Sequence, residues 1–286
     1  MILSKPLKTV LFLPMSTVIK SSILELQETL GAWRQQGQAI AFVPTMGGLH
    51  QGHLSLIKIA KENSDRVVVS IFVNPMQFAE NEDFGEYPRT LGDDLSLLKE
   101  LQVDCVFTPT AEMIYPDGLG LTIDVGKVGQ ILCGKTRPHF FNGVTQVVQR
   151  LFDIIEPDVA VFGQKDCQQL SIIKQFTSGV KILSGAIVRE ADGLAMSTRN
   201  QYLSVDERQI APQLYRTLSQ LHQGKLDLYM AKKQLQQYFK LDYLEILDAN
   251  TLKQITDNTS KIAILCAVFL GSTRLIDNII FRRENV

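Results

Sequence analysis

The sequence predicts a parallel α/β sheet followed by a smaller α+β unit, and three observations predict it. Short Val- and Ile-rich runs such as Arg66–Phe72 and Val159–Phe162 alternate with amphipathic segments up to about residue 187. Polar or Gly-bearing loops follow Val43, Phe72, Phe162 and Val188, the expected ligand edge of such a sheet. Beyond residue 187 the alternation gives way to polar amphipathic segments and then three apolar runs. Strands buried on both faces read as continuous apolar runs, and right-handed crossovers supply the helices between them.

Taken in order, Ser22-Ile-Leu-Glu25 reads as a capping box, with Ile23, Leu26, Leu30 and Trp33 at helical spacing and Gly37 as the stop. Ala39–Val43 reads as a buried strand, and the helix suggested by Leu54, Ile57 and Ala60 follows a glycine loop. Arg66–Phe72 is the next strand. Thr90 can cap a helix with Leu95, Leu98 and Leu101 on its apolar face, and Cys105–Phe107 is a brief strand. Val144, Val147, Val148, Leu151 and Ile155 mark a long helix; the Val159–Phe162 strand and a helix bearing Leu170, Ile173 and Phe176 follow. Lys181–Leu183 and Ala186–Val188 read as extended. Ser204-Val-Asp-Glu207 opens a polar helix, Met230–Phe239 is a second, and Tyr243–Leu247, Ile262–Leu270 and Leu275–Phe281 read as strands. The expected division is therefore an extension over residues 1–17, with Met15 as an alternative start, a Rossmann-like unit over 18–187, and an α+β unit over 188–286.

Bulk properties narrow the function. Of 286 residues, 45% are hydrophobic and 21% charged, the balance of an ordinary globular chain. A net charge of −1 lacks the basic excess of a protein built to grip nucleic acid. The four cysteines, Cys105, Cys133, Cys167 and Cys266, form no CxxC pair, so free thiols in a reducing cytoplasm are expected. No apolar run reaches the roughly 18 residues of a membrane span.

Chemistry concentrates in a few loops. His50-Gln51-Gly52-His53 places two of the four histidines three apart at a helix start, where both imidazoles face one way. Gly47 and Gly48 permit close backbone approach, and the helix N-terminus offers free N–H groups to a phosphate. A metal pair is the competing reading, but no HExxH or Cys/His cluster accompanies it. In Gly163-Gln164-Lys165-Asp166, Lys165 can meet phosphates as a point charge, while Asp166 can bond a ribose hydroxyl or cap the next helix. Met196-Ser197-Thr198-Arg199-Asn200 offers hydroxyls and a guanidinium to a polyphosphate, or is simply a turn. Asn74, Gln77 and Gln169 are neutral amides suited to hydroxyls and a carboxylate, or ordinary surface polarity. Asp93 and Asp94 can hold magnesium through water, though favourable placement in a first helical turn is the simpler account.

Together these stretches resemble the pantothenate synthetase family, within the HIGH-motif adenylyl transferases. Val43-Pro-Thr-Met-Gly-Gly-Leu-His-Gln-Gly-His53 resembles that family's ATP signature. Phe72-Val-Asn-Pro-Met-Gln-Phe78, Tyr87-Pro-Arg-Thr90 and Phe162-Gly-Gln-Lys-Asp-Cys-Gln-Gln169 match further family stretches. Val188-Arg-Glu-Ala-Asp-Gly-Leu-Ala-Met-Ser-Thr-Arg-Asn200 stands in the place of the KMSKS loop. The resemblance runs from about residue 18 to the C-terminus.

The resemblance implies ATP contacts by Met46, Gly47, Gly48, Leu49, His50, Gln51, Gly52 and His53, by Gly163, Gln164, Lys165 and Asp166, and by Val188, Met196, Ser197, Thr198 and Arg199. It implies His53 as proton donor with His50 beside it, and Gln77 and Gln169 on pantoate, Gln77 also near β-alanine. Magnesium with ATP and a homodimer are expected. Lys165 and Arg199 join the two histidines as the expected catalytic set. Family-like positions depart at Gly48, Gln51, Gln164 and Cys167, and more sharply in Arg137-Pro-His-Phe-Phe-Asn-Gly143, where His139 and Phe140 stand for a usual Gly-His. The expected reaction joins pantoate to β-alanine through pantoyl-adenylate. A nucleotidyl transferase with another acceptor and a nucleotide-binding regulator without catalysis are the rival readings.

Overall fold

The computed structural model describes residues 17–283 apart from 81, 117 and 119–122. Met15 and all but the last residue of the expected extension lie outside the described residues.

Six parallel strands form the larger sheet: β1 (Val18–Lys20), β2 (Ile40–Thr45), β3 (Arg66–Ile71), β4 (Cys105–Phe107), β5 (Val159–Gly163) and β6 (Lys181–Gly185). Their order is β1-β4-β3-β2-β5-β6. The chain steps outward from β2 through β3 to β4, then returns to the other side of β2 with β5. That reversal puts a crevice beyond the carboxyl ends of β2 and β5, where ligands bind in open α/β sheets.

Helices cover both faces: α1 (Ile23–Gln35), α2 (Gln51–Glu62), α3 (Leu91–Glu100), the single turns α4 (Ala111–Ile114) and α5 (Cys133–Thr136), α6 (Phe140–Ile155) and α7 (Cys167–Phe176). The period-two alternation of the strands decides which helix meets which face. Ile40 and Phe42 turn to one side, into a core with Leu26 and Leu30 of α1 and Val144, Leu151 and Ile155 of α6. Ala41 and Val43 turn to the other, against Leu54, Ile57 and Ala60 of α2 and Leu98 of α3. Ser22 caps α1 at the Glu25 N–H as expected, but the Glu25 carboxylate takes the Ser22 hydroxyl instead of completing a backbone box. Gly37 ends the helix at φ +71°.

The C-terminal unit holds α8 (Val205–Ile210), α9 (Gln213–His222) and α10 (Leu228–Gln236) and an antiparallel sheet β7 (Lys240–Asp248), β8 (Lys261–Leu270) and β9 (Thr273–Arg282). Ser204 and Glu207 form a complete capping box on α8. Leu214, Leu218 and Leu235 pack on Ile264, Cys266 and Val268. The opposite face of β8, Ala263 and Leu265, packs on Leu132 and Cys167 of the larger unit. The small sheet is thereby fixed over the crevice. Ala186–Val188, expected to be extended, carries no strand pairing; β6 stops at Gly185. The strand β1 is absent from the sequence reading, because three residues at a sheet edge carry too little period to detect.

Candidate active site

The loop after β2 turns on two glycines in the left-handed region, Gly47 at φ +81° and Gly48 at φ +61°. The buried Asp94 carboxylate fixes it, accepting the Gly48 and Leu49 N–H groups at 3.0 and 2.8 Å. Thr198 donates to the Gly48 carbonyl from the other side. Asp94 is thus occupied with backbone and Asp93 is exposed, and neither lines the cavity below. Loop support by Asp94 competes with the magnesium expectation for this pair: the carboxylate that reaches inward holds the Gly48 and Leu49 N–H groups.

His50 caps α2, and the two histidines cap it reciprocally. His50 Nδ1 accepts the Gly52 N–H at 3.1 Å, and His53 Nδ1 accepts the His50 N–H at 3.3 Å. With both Nδ1 atoms accepting, the ring protons sit on Nε2. The rings lie 4.1 Å apart. Burial, with the Lys165 charge adding to it, lowers His50 to about 4. Burial, then His50 and Lys165, lowers His53 to about 3. Both are therefore neutral near pH 7, and each offers an Nε2–H hydrogen bond instead of an imidazolium proton.

Asn74 follows β3. Its amide donates to Gln77 Oε1 and the Gly143 carbonyl and accepts from the Met76 N–H and the Tyr115 hydroxyl. Each polar position is paired within the protein, so Asn74 orients Gln77 at the cavity wall. Gln77 Nε2 points to Met46 Sδ at 3.0 Å. Gly143 is required by proximity: a Cβ there would stand 2.0 Å from the Met76 carbonyl oxygen.

After β5, Asp166 stands at the start of α7 without any side-chain capping bond. The residue lines the cavity. Lys165 is partly buried in the cavity wall, and desolvation pushes its pKa down while Asp166 and Asp277 pull the other way. Arg199 makes a two-point ion pair with Asp83, and its guanidinium lies 5.4 Å from the Tyr87 ring.

These groups surround one cavity of about 1000 Å³ between the two units. Met46, His50, Gly52, His53, Gly163, Lys165, Asp166, Val188 and Met196–Arg199 line its wall, together with Asn74, Gln77 and Gln169. Gly47, Gly48, Leu49, Gln51 and Gln164 do not line it; they serve as turn and backbone. Phe72, Val144 and Val147 form an apolar floor beside Gln77. The altered stretch has a physical account. Phe140 lies 3.8 Å under the Arg137 guanidinium, which bonds the Gln77 carbonyl and pairs with Glu82, while His139 is exposed.

The crevice at the ends of β2 and β5, a pair of neutral histidines and an amide-lined apolar end share one enclosure. A family model described as Pantoate-beta-alanine ligase matches residues 18–280. The chain belongs to the pantoate-beta-alanine ligase family. It is 60% identical over 270 residues to a pantothenate synthetase of Ruthia magnifica, covering 91% of this chain and 97% of that one. A pantothenate synthetase crystal structure from Thermus thermophilus superposes with a TM-score of 0.84 at 38% identity, over 92% of this chain and 99% of that one. A Francisella tularensis pantoate-beta-alanine ligase, complexed with beta-gamma ATP and beta-alanine, superposes with a TM-score of 0.80 at 36% identity, over 93% and 98%. Within this ligase family frame, the sequence reading missed Asp83, Glu82, Gln168, Asp277 and Asn278. Gln168 braces the α5 turn, accepting from the Cys133 N–H and donating to the Val128 and Ile131 carbonyls. Glu82, Asp83, Asp277 and Asn278 lie outside every quoted motif, and Gln168, although inside the Phe162–Gln169 stretch, faces partners that only the folded chain brings to it.

Proposed function

We propose that this chain is an ATP-dependent ligase that joins pantoate to β-alanine in two steps within the shared cavity. The carrying observation is that the crevice loops, 46–53 and 163–166, open onto the same enclosure as Gln77, Gln169 and the apolar floor. Pantoate, with hydroxyls, a carboxylate and two methyl groups, fits amides set beside Phe72, Val144 and Val147.

In the first step the pantoate carboxylate attacks the α-phosphorus of ATP and pyrophosphate leaves. Nε2–H groups of His50 and His53 face the phosphates together with Lys165, Ser197 and Arg199, and stabilise charge that grows as the bond breaks. Preorganised neutral donors in a buried site need no reorganisation as the charge develops. Asp166, free of capping duty, receives a ribose hydroxyl. Magnesium would enter as part of the nucleotide substrate and would supply positive charge to the phosphates beside Lys165 and Arg199. In the second step the β-alanine amine attacks the acyl carbon of the pantoyl-adenylate and AMP departs. Water exclusion protects the mixed anhydride. Thr198 on the Gly48 carbonyl and Arg199 on Asp83 close the 196–200 loop over the cavity, supporting residues 188–286 as the lid unit. We further infer a homodimer and a cytoplasmic location from the resemblance to the family. No helix among the described residues is long and apolar enough to cross a membrane.

Production of AMP and pantothenate from pantoate, β-alanine, ATP and magnesium, with each omitted in turn, tests the reading. AMP and amide appearing together only in the complete mixture are expected. ATP binding without AMP formation would overturn it in favour of a regulator, and a dinucleotide product would reveal a different acceptor.

A further inference from the structure

Lys165 sits in the loop after β5, but the groups that hold that loop come from the small sheet. Asn278 on β9 donates both protons of its amide, at 3.0 Å each, to the carbonyls of Gln164 and Lys165. Two carbonyls facing the same end of the side chain fix which end is nitrogen. The other end, Oδ1, is buried without a protein partner, so the side chain is held by its donors alone. Asn278 is 2% exposed and forms part of the cavity wall.

The preceding residue completes the arrangement. The buried Asp277 carboxylate accepts two bonds from Arg189, at 2.7 and 2.9 Å, and one from the Asn278 N–H at 2.7 Å. Arg189 also donates to the Gly193 carbonyl and lies 3.6 Å from the Tyr215 ring. It therefore anchors the connector that leads into the 196–199 loop. Two adjacent residues of one strand thus tie down both loops proposed to meet the phosphates: Asn278 the 163–166 loop, Asp277 the connector to 196–199.

We propose that Asn278 is a positioning residue for adenylate formation, holding the backbone of Lys165 in register with the histidine pair, so that the small unit sets the geometry of the larger unit's phosphate loop. The inference rests on the ligase reading. Lys165 acts at a point in space, and a displacement of about 1 Å at such a group costs about 100-fold in rate. Pantoate meets other residues, Gln77 and Gln169, and its binding does not pass through Asn278. The effect of losing the two bonds therefore falls on kcat and spares the pantoate KM.

The experiment compares the unmodified protein with Asn278→Ala and the isosteric Asn278→Asp, which keeps the shape but offers no donor to the two carbonyls. Pantoate-dependent ATP–pyrophosphate exchange is followed, with melting temperature recorded for each. Activity of the unmodified protein tests the ligase reading by itself; the variants test Asn278. Expected is a loss of at least 20-fold in the exchange kcat for both variants, with pantoate KM within threefold, and recovery of part of the loss in Asn278→Gln, which restores the amide. Exchange within threefold of the parent in folded Asn278→Asp would overturn the inference, as would a loss confined to pantoate KM. Amide hydrogen exchange on the unmodified protein decides the matter even where a variant fails to fold. Backbone amides of 164–167 should be as protected as those of β9, and loop exchange 100-fold faster than the strand would show that β9 does not hold it.

Discussion

Arg199 grips Asp83 through Nε and Nη2, at 2.9 and 3.0 Å from the two carboxylate oxygens. Burial would raise the Asp83 carboxyl, but the hydrogen bonds and charge of Arg199 outweigh it and hold the group below its usual range. The carboxylate is therefore ionised throughout the working pH range, and it occupies the guanidinium that a triphosphate would claim. In the proposed reaction the triphosphate shares the guanidinium with Asp83, and weakening this partly buried pair costs on the order of 1 kcal/mol. Asp83→Asn is expected to lower the ATP KM by roughly fivefold, the equivalent of that cost. Arg199→Ala is expected to lower kcat about 100-fold, as for other lost charge-stabilising groups. Steady-state kinetics with ATP as the varied substrate separates the two. If Asp83→Asn loses kcat as Arg199→Ala does, the carboxylate positions the arginine and does not compete for it.

The histidine pair predicts a particular response to acid. Their folded pKa values, about 4 for His50 and about 3 for His53, lie below the ordinary 6.5 of the unfolded chain. Between pH 6.5 and 4 the unfolded chain takes up protons that the folded one refuses. Their contribution is fully present above pH 6.5 and is lost as pH falls toward the folded values. For the partly buried His53 this amounts to a loss on the order of a few kcal/mol at full extent. Urea unfolding between pH 5 and 7.5 should show stability rising with pH, and the slope should shrink in His53→Asn. Turnover should show no inflection near 6.5, since both rings are already neutral there, while His53→Ala should reduce adenylation by several orders of magnitude. A kcat that falls as pH rises through about 6.5 would mean that His53 works as an imidazolium.

How far the sequence reveals this site depends on distance along the chain. Val43–His53 announces itself because turn glycines, cap and imidazoles are consecutive, and the buried strands on either side read directly from Val and Ile runs. Lys165 and Asp166 follow a strand end in the same way. Asn74 reads from sequence as an amide that faces a ligand, because only the folded chain brings Gly143 and Tyr115 to it. Asp94 reads as a metal candidate because the backbone N–H groups of Gly48 and Leu49, 46 and 45 residues away in sequence, cannot be seen from its own helix. Asp277 and Asn278 escape notice for the same reason: within β9 they look like two polar residues in an apolar strand. Long-range partners, more than residue type, are the missing information.

Gly48 is expected to tolerate no side chain. Its φ of +61° costs an L-residue about 1–3 kcal/mol, and a Cβ would stand 2.4 Å from Thr198 Cγ2. Gly48→Ala should therefore lower the melting temperature and push Thr198 off the Gly48 carbonyl. The second effect is the informative one, since it unfastens the 196–200 loop from the larger unit. Amide exchange across residues 196–202 should quicken in the variant while β2 and β3 keep their protection. Unchanged exchange in that loop would show that Thr198 does not depend on this contact.

Asp94 separates loop support from metal binding. Its two oxygens accept the N–H groups of Gly48 and Leu49. In Asp94→Asn one oxygen remains, while the amide nitrogen confronts an N–H it cannot accept. A buried donor left without a partner costs about 1–3 kcal/mol. The variant should melt several degrees lower, and its ATP KM should rise as the 46–50 loop relaxes away from the nucleotide. The magnesium concentration giving half-maximal activity at saturating ATP should stay as in the parent, because magnesium arrives on the phosphates and the Asp94 carboxylate faces backbone. A many-fold increase in that concentration, with the melting temperature unchanged, would return Asp94 to the metal and remove it from the loop.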